Sequence, residues 1–222
     1  MTLRAYRGKR RFDATPEPEG APVGAESARA TVERGRYVAQ RHRATRLHYD
    51  FRLEVGGVLV SWAVPRGPTL DPSQPRLAIH VEDHPIEYFG FEGGIPRAQY
   101  GAGDVIVWDW GRWEADPSTP DAATALAAGE FKFRVTGEKL HGGIVLLRTE
   151  RWRGRRDPKD KWLLIHRRDE FAVAGWDAED YPESVKTGRT NDEVADGVRV
   201  KRRCRAPARA RRRHAGGTVA GR

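Results

Sequence analysis

Cysteine is nearly absent: Cys204 is the only one in 222 residues, and it lies in a polar, arginine-rich segment. An intramolecular disulfide and a thiolate metal site are both excluded, so any bound metal must draw on His, Asp or Glu. Apolar runs of about eighteen residues or more are also missing, and the basic stretch from Met1 to Arg11 has no apolar stretch behind it. Neither a membrane span nor a secretory signal is expected, which points to a soluble, cytoplasmic protein without a membrane partner. Acidic residues are lacking from Gly197 onward, where ten Lys or Arg occur.

That last deficit relocates the net charge of +9, because positions 1 to 196 hold 30 basic against 31 acidic residues and are nearly neutral. Runs such as Lys201-Arg202-Arg203 and Arg211-Arg212-Arg213 repel themselves in a compact state and bury no apolar surface, so they read as a disordered arm. The natural partner of such an arm is a polyanion. Each cation that reaches a phosphate releases condensed counterion, which gives salt-sensitive affinity independent of base sequence. A purely solubilising tail is the plainer alternative.

The length and a 38% hydrophobic content suit one domain with a real core. Positions 1–33 mix charge with Pro16, Pro18, Gly20, Pro22 and Gly24 and suit an extended arm, free to pack over the barrel, better than a helix or a central strand. Short apolar alternations then recur at Arg46–Glu54, Val58–Val64, Arg76–Val81, Val105–Trp110, Phe131–Val135, Ile144–Arg148 and Lys161–Arg167. Gly56-Gly57, Gly93-Gly94, Gly101-Ala102-Gly103 and Gly142-Gly143 are expected to reverse the chain between strands. The pattern predicts a mainly β fold, a small closed β-barrel over 34–170, with one or two short helices and disordered termini. One helix is expected over Pro120–Gly129, where alanines run into a glycine stop. A C-terminal extension over 171–196, with a short helix or loop at Trp176–Pro182, and a basic tail over 197–222 complete the division.

The chemistry concentrates in Gln40-Arg41-His42-Arg43-Ala44-Thr45-Arg46-Leu47-His48-Tyr49-Asp50-Phe51-Arg52-Leu53. Alternate side chains of a strand share a face, so His48, Asp50 and Arg52 project together, away from Leu47, Tyr49, Phe51 and Leu53. With His42 returning from a preceding strand or turn, two imidazoles and a carboxylate offer three N/O ligands. That set suits manganese or a similar divalent ion and does not by itself exclude zinc. Alternation alone is equally the mark of an ordinary wet strand face, so a second cluster matters: Arg76-Leu77-Ala78-Ile79-His80-Val81-Glu82-Asp83-His84-Pro85-Ile86-Glu87-Tyr88. If its strand persists to His84, then His80, Glu82 and His84 share a face, and the two faces are expected to meet inside the barrel. Arg52, Arg66, Arg76, His84 and Tyr88 would then bind a phosphate and its developing charge. His80 reads as structural. Trp108, Trp110 and Trp113 suit barrel packing better than base stacking, His141 and His166 lack clustered partners, and Arg151–Arg156 reads as a solvated loop.

These segments, with Trp62-Ala63-Val64-Pro65-Arg66-Gly67-Pro68, Val81-Glu82-Asp83-His84-Pro85, Ile95-Pro96, Tyr100-Gly101-Ala102-Gly103 and Trp108-Asp109, resemble the 3′-phosphoesterase domain associated with bacterial and archaeal DNA ligase D. The resemblance runs from about Tyr6 to about Asp169 and implies a small closed β-barrel. The implied activity removes a 3′-terminal ribonucleoside and then the remaining 3′-phosphate, giving a 3′-OH for polymerase or ligase. It implies metal ligation, manganese foremost, by His42, His48 and Asp50. It implies phosphate contacts from Arg52, Arg76, His84 and Tyr88, and a required acid in Glu82. Arg66 stands where the family typically has lysine, which replaces a point charge with a planar fork. Arg11 stands where the family segment Lys-Arg-Asp-Phe has aspartate, so the diesterase step is the one in question, with Glu17 retained as a contributor to it. Neither ligase nor polymerase motifs occur, so DNA 3′ ends are the expected partner and those activities are expected from separate repair proteins. The rival readings are a non-catalytic DNA-end binding module and a metal-dependent barrel acting on small molecules.

Overall fold

Alternation of small or polar with large apolar residues builds strand after strand, and among the described residues there are nine. These are β1 (Arg34–Arg43), β2 (Leu47–Val55), β3 (Val58–Val64), β4 (Arg76–His80), β5 (Gly93–Ile95), β6 (Gly103–Ala115), β7 (Glu130–Gly137), β8 (His141–Trp152) and β9 (Arg155–His166). The structure is a computed structural model that describes residues 2–22, 24, 33–119, 121–152 and 155–200, so the basic tail from Lys201 lies outside the described residues. The strands form one antiparallel sheet in the order β1-β2-β3-β4-β9-β8-β7-β6-β5. A further pairing of β6 with β1, from Arg34↔Glu114 to Arg43↔Asp104, closes eight of them into a barrel and leaves β5 against the first part of β6.

The barrel interior is aromatic. Tyr49, Phe51 and Leu53 of β2, Val60, Trp62 and Val64 of β3, Trp108 and Trp113 of β6, Phe131 and Phe133 of β7 and Trp162 of β9 are buried in one core. Each large side chain removed from water stabilises the fold by roughly 1.5–3 kcal/mol. Trp108 and Trp113 of β6 are thus packing residues, as expected, while Trp110 is half-buried outside the core against Phe89. Asp109 between them is structural too: it accepts from the Tyr37 hydroxyl at 2.6 Å and from the N–H groups of Glu138, Lys139 and Leu140. The β2–β3 hairpin turns at Gly56-Gly57, both at positive φ (59° and 79°), which only glycine adopts without steric cost.

Several expectations need correction. The N-terminal arm contains a helix, α1 (Arg4–Gly8), whose Tyr6 is fully buried against Leu59 and Tyr88, so the segment is a packed layer. Gly93-Gly94 and Gly142-Gly143 lie within β5 and β8, where they do not turn the chain. A Cβ on Gly142 would stand 2.7 Å from the Asp169 carboxylate, which accepts from Gly143 N–H, so close approach is what glycine permits there. Strands β8 and β9 extend to Trp152 and from Arg155, which shortens the loop expected over Arg151–Arg156. The helix expected over Pro120–Gly129 is present as α2 (Ala122–Ala128), capped by Asp121 and stopped by Gly129 at φ 90°.

The C-terminal extension also keeps its order further than expected. A 3₁₀ turn at Ala178–Asp180 is followed by α3 (Asn191–Ala195), entered through a capping box of Thr190 and Glu193. Buried Asn191 bonds the carbonyls of Arg41 and Asp104 and accepts from the Arg41 guanidinium, tying α3 across the β1–β6 seam. No helix among the described residues is long and apolar enough to cross a membrane.

Candidate active site

Strand register decides which side chains meet. His42 faces His48, Gln40 faces Asp50 and Val38 faces Arg52 across β1 and β2, while Asp50 faces Ala63 and Arg52 faces Ser61 across β2 and β3. Their neighbours Tyr37, Ala39, Tyr49, Phe51 and Trp62 fill the core, so this polar set lies on the outer wall of the barrel. The expectation that the reactive faces meet inside is wrong, because the interior is already filled with rings. A second layer covers the wall instead: the N-terminal segment around Tyr6 and Phe12 and the 3₁₀ turn Ile86–Gly90, joined through Leu59 and Tyr88.

His42, His48 and Asp50 converge, with one ligand atom from each within 4.8 Å of the others. Asp50 lies 3.5 Å from His42 Nδ1 and 3.7 Å from His48 Nε2. The opposite nitrogens meet backbone carbonyls, His42 Nε2 at Gly101 (2.9 Å) and His48 Nδ1 at Arg46 (2.9 Å). A carbonyl can only accept, so those two nitrogens carry the protons and the lone pairs of His42 Nδ1 and His48 Nε2 face the carboxylate. Ligands bound at ~2.1 Å to one ion at tetrahedral or octahedral angles lie roughly 3–3.5 Å apart; the imidazoles stand at or just beyond that spacing from Asp50, and two imidazoles with a carboxylate are a donor set suited to a first-row divalent ion. Burial raises the Asp50 carboxyl, but the Arg52 guanidinium foremost works against it, and the group is held well below the usual carboxylate range.

Arg52 is locked in place. Its Nε donates to Gln40 Oε1 (2.8 Å), Nη1 to Ser61 Oγ (2.8 Å), and Nη2 lies 3.1 Å from Asp50. Gln40 in turn donates to the carbonyls of Tyr88 and Phe91, pinning the 3₁₀ turn onto the wall. Tyr88 brings its ring under the Arg52 guanidinium at 5.0 Å and edge-on to His84 at 4.9 Å. Burial pushes the Tyr88 hydroxyl well above its ordinary pKa, and no hydrogen bond to it forms among the described residues. His84 is not on a strand: β4 ends at His80, and His84 makes an isolated bridge to Leu59. Its Nδ1 donates to the Glu82 carbonyl (2.9 Å), while Nε2 accepts from Arg10 (3.3 Å). Burial first, then the cations Arg52 and Arg10, hold His84 well below its ordinary pKa, so it is neutral.

Arg10 is a site residue that residue patterning alone does not reveal, although it lies in the segment matched to the family's Lys-Arg-Asp-Phe. Its guanidinium donates to Glu17 (2.9 Å), Glu82 (3.3 Å), the Tyr6 carbonyl (3.2 Å) and His84, and lies 3.9 Å from the Tyr6 ring centroid. Glu17 and Glu82 therefore stand beside His84 through one buried cation. Lys9 closes the outer side with an ion pair to Glu82 at 3.0 Å. Burial disfavours the Glu82 charge, but Lys9 and Arg10 keep its carboxyl below the ordinary value. Arg11, by contrast, is exposed and paired with Asp13.

Two expected phosphate ligands stand elsewhere. Arg66 is exposed on the turn after β3, and Arg76 opens β4 on the same core-facing side as Ala78. Arg76 is buried and its Nε makes no hydrogen bond among the described residues; burial and the nearby Arg66 charge lower its pKa. Among the described residues, no hydrogen bond or ion pair joins this pair to the triad. His80 bonds Asp160 (3.0 Å) and packs on Trp62, in keeping with a structural part.

Comparison with known proteins gives the same picture. The family described as the DNA Ligase D 3′-phosphoesterase domain matches residues 40–148. A multifunctional non-homologous end joining protein LigD of Pseudomonas aeruginosa is 46% identical over 193 residues, which is 85% of this chain and 21% of that protein. A multifunctional non-homologous end joining DNA repair protein LigD of Mycobacterium tuberculosis is 41% identical over 171 residues, 76% of this chain and 22% of its own length. The chain thus spans about a fifth of the length of these curated relatives. The family match covers the triad and the 3₁₀ turn at Ile86–Gly90, and with relatives above 40% identity over most of its length the chain belongs to the DNA ligase D 3′-phosphoesterase domain family.

Proposed function

We propose that this chain is a metal-dependent DNA 3′-end-processing hydrolase. As a phosphodiesterase it removes a 3′-terminal ribonucleoside, and as a phosphomonoesterase it removes the 3′-phosphate left behind, yielding a 3′-OH for repair and ligation. The observation that carries this reading is the convergence of His42 Nδ1, His48 Nε2 and the Asp50 carboxylate beside a guanidinium fixed at three points. The repair setting in the relatives' names supports DNA ends as substrate, with separate ligase, polymerase or end-binding proteins as partners.

When bound at His42, His48 and Asp50, a divalent ion, manganese by expectation, supplies positive charge at a phosphoryl oxygen and lowers the proton affinity of a neighbouring water. Arg52 spends three of its five N–H donors on Gln40, Ser61 and Asp50. Two remain for phosphoryl oxygens, in a plane that needs no reorganisation as charge develops. Tyr88 offers its hydroxyl to the same group. His84 is neutral in the free site; an arriving phosphate dianion raises its proton affinity, which suits it to protonate the leaving oxygen. Glu82 and Glu17, held through Arg10, orient His84 and serve the diesterase step. Arg66, exposed on the turn after β3, is offered to phosphates further along the strand, with the nearby charge of the buried Arg76 in support.

The test is a 5′-labelled primer-template ending in one ribonucleotide, incubated with manganese beside a His48→Ala control. A 3′-phosphate product followed by a shortened 3′-OH end, both lost in the control, is the expected result. Loss of phosphate from a 3′-phosphate primer with the ribonucleotide end untouched would confine the activity to the monoesterase and implicate Arg11. A DNA-end binding module without catalysis would process neither end.

A further inference from the structure

We infer that Tyr100 is the platform on which the nucleobase of the substrate's 3′-terminal nucleotide stacks. The inference rests on the reading of the site as a 3′-end phosphoesterase and extends it to how the end is gripped. Tyr100 sits in the loop between β5 and β6, which folds back through Gln99 N–H to the Pro96 carbonyl (2.9 Å) and Ala102 N–H to the Gln99 carbonyl (3.2 Å). The next residue, Gly101, accepts the hydrogen bond from His42 Nε2. The ring is therefore held one peptide away from the group that orients a triad imidazole.

Its surroundings are those of a binding surface. Tyr100 is 51% exposed, the most exposed aromatic among the described residues. The other exposed rings are occupied, Phe171 by His141 and Tyr181 by Trp176, whereas no aromatic ring contacts Tyr100 among the described residues. Lys9 Nζ lies 3.3 Å from its hydroxyl and 4.7 Å from the ring centroid, and Arg10 Cζ lies 5.7 Å from the centroid. Lys9 and Arg10 also bind Glu82, so the ring bridges the lip between the triad and the Glu82–His84 group. An exposed aromatic flanked by cations is the combination that holds single nucleotides, with stacking on the base and positive charge near the phosphate. Stacking accepts every base, as an enzyme that must trim ends of any sequence requires.

Affinity and turnover are to be read separately on the full chain. Binding to a fluorescent primer-template with a 3′-phosphate is measured by anisotropy in chelator, for ends whose last nucleotide carries a base or is abasic. Tyr100→Ala and Tyr100→Leu are expected to weaken binding of the base-bearing end roughly tenfold, within the range known for base–aromatic stacks, and Tyr100→Trp to preserve it. The abasic end should bind the wild-type chain more weakly by a similar factor and lose nothing further in the Ala and Leu chains. Equal affinity of the Ala and wild-type chains for the base-bearing end overturns the platform, and so does an equal loss on the abasic end. If the Ala chain does not fold, the Leu and Trp pair carries the same comparison. Turnover with manganese tests the enzyme reading alone: a wild-type chain that binds ends with base dependence yet hydrolyses nothing removes that reading and leaves the platform standing.

Discussion

Buried charge at this site is organised around single residues with several obligations. Arg10 is 5% exposed in its side chain and faces Glu17, which is 0% exposed, and Glu82, at 5%. Truncating one partner of a buried ion network costs about 3–5 kcal/mol, because the remaining charges lose their compensation. Arg10→Met should therefore release the N-terminal layer from the barrel, read as faster amide hydrogen exchange over Leu3–Pro18 while the barrel strands stay protected. Unchanged exchange in that layer would show that the carboxylates find other partners. His84 sets a pH dependence of definite sign. Its folded pKa lies well below the ordinary value near 6.5, so below about pH 6.5 the unfolded chain takes up a proton that the folded chain refuses, and stability falls with pH. Between pH 7.5 and 5.5 the wild-type chain should lose about 1 kcal/mol more stability in urea than His84→Gln, since the other groups titrate alike in both chains. Parallel pH profiles would show that His84 does not carry this effect.

Among the elements, β6 bears the closure. It is clasped by β1 along its length and by β5 and then β7 on its other side, and at Gly111↔Gly137 it approaches β7 so closely that a Cβ on Gly111 would meet the Thr136 carbonyl at 2.0 Å. Backbone cannot yield as a side-chain tip can, so Gly111→Ala should cost about 3 kcal/mol, at the upper end for overpacking. A urea midpoint within error of wild type would refute the steric argument. The elements that sequence reveals are those whose alternation is strong: β2 and β3 are legible almost to the residue, and so are His48, Asp50 and Arg52 on one side of β2. Two glycines in three residues hide β5. Charges at both ends hide β1, although its His42 is visible from the cluster around it. Alternation says that a strand has two faces, but it cannot say which face a second layer will cover, and so it does not tell the reactive outer wall from the packed interior. Arg10 is illegible for a related reason. Between Lys9 and Arg11 it looks like any surface cation, and partners as far as Glu82 and His84, more than 70 positions away in sequence, help make it a buried one.

At the scale of the whole molecule, the barrel is bound at both ends of the chain. The N-terminal layer roofs the site, and the C-terminal extension fastens the seam through Asn191 and supplies the Tyr181 carbonyl to Trp108 Nε1 at 2.7 Å. A chain ending at Val200 should keep the thermal stability of the full protein and lose DNA affinity with a shallower salt dependence, because its cationic tail is gone. A chain ending at Glu170 should also lose stability, since Trp108 and the β1–β6 seam lose buried partners. Equal thermal midpoints for the two truncations would show the extension to be dispensable. The reactive groups hang on the convex side of a barrel whose bore is solid with rings. A barrel that holds its ligand within admits only what fits its girth. Here a strand of any length can lie across the wall, and what distinguishes its terminus from its middle must be the shape of the overhanging roof.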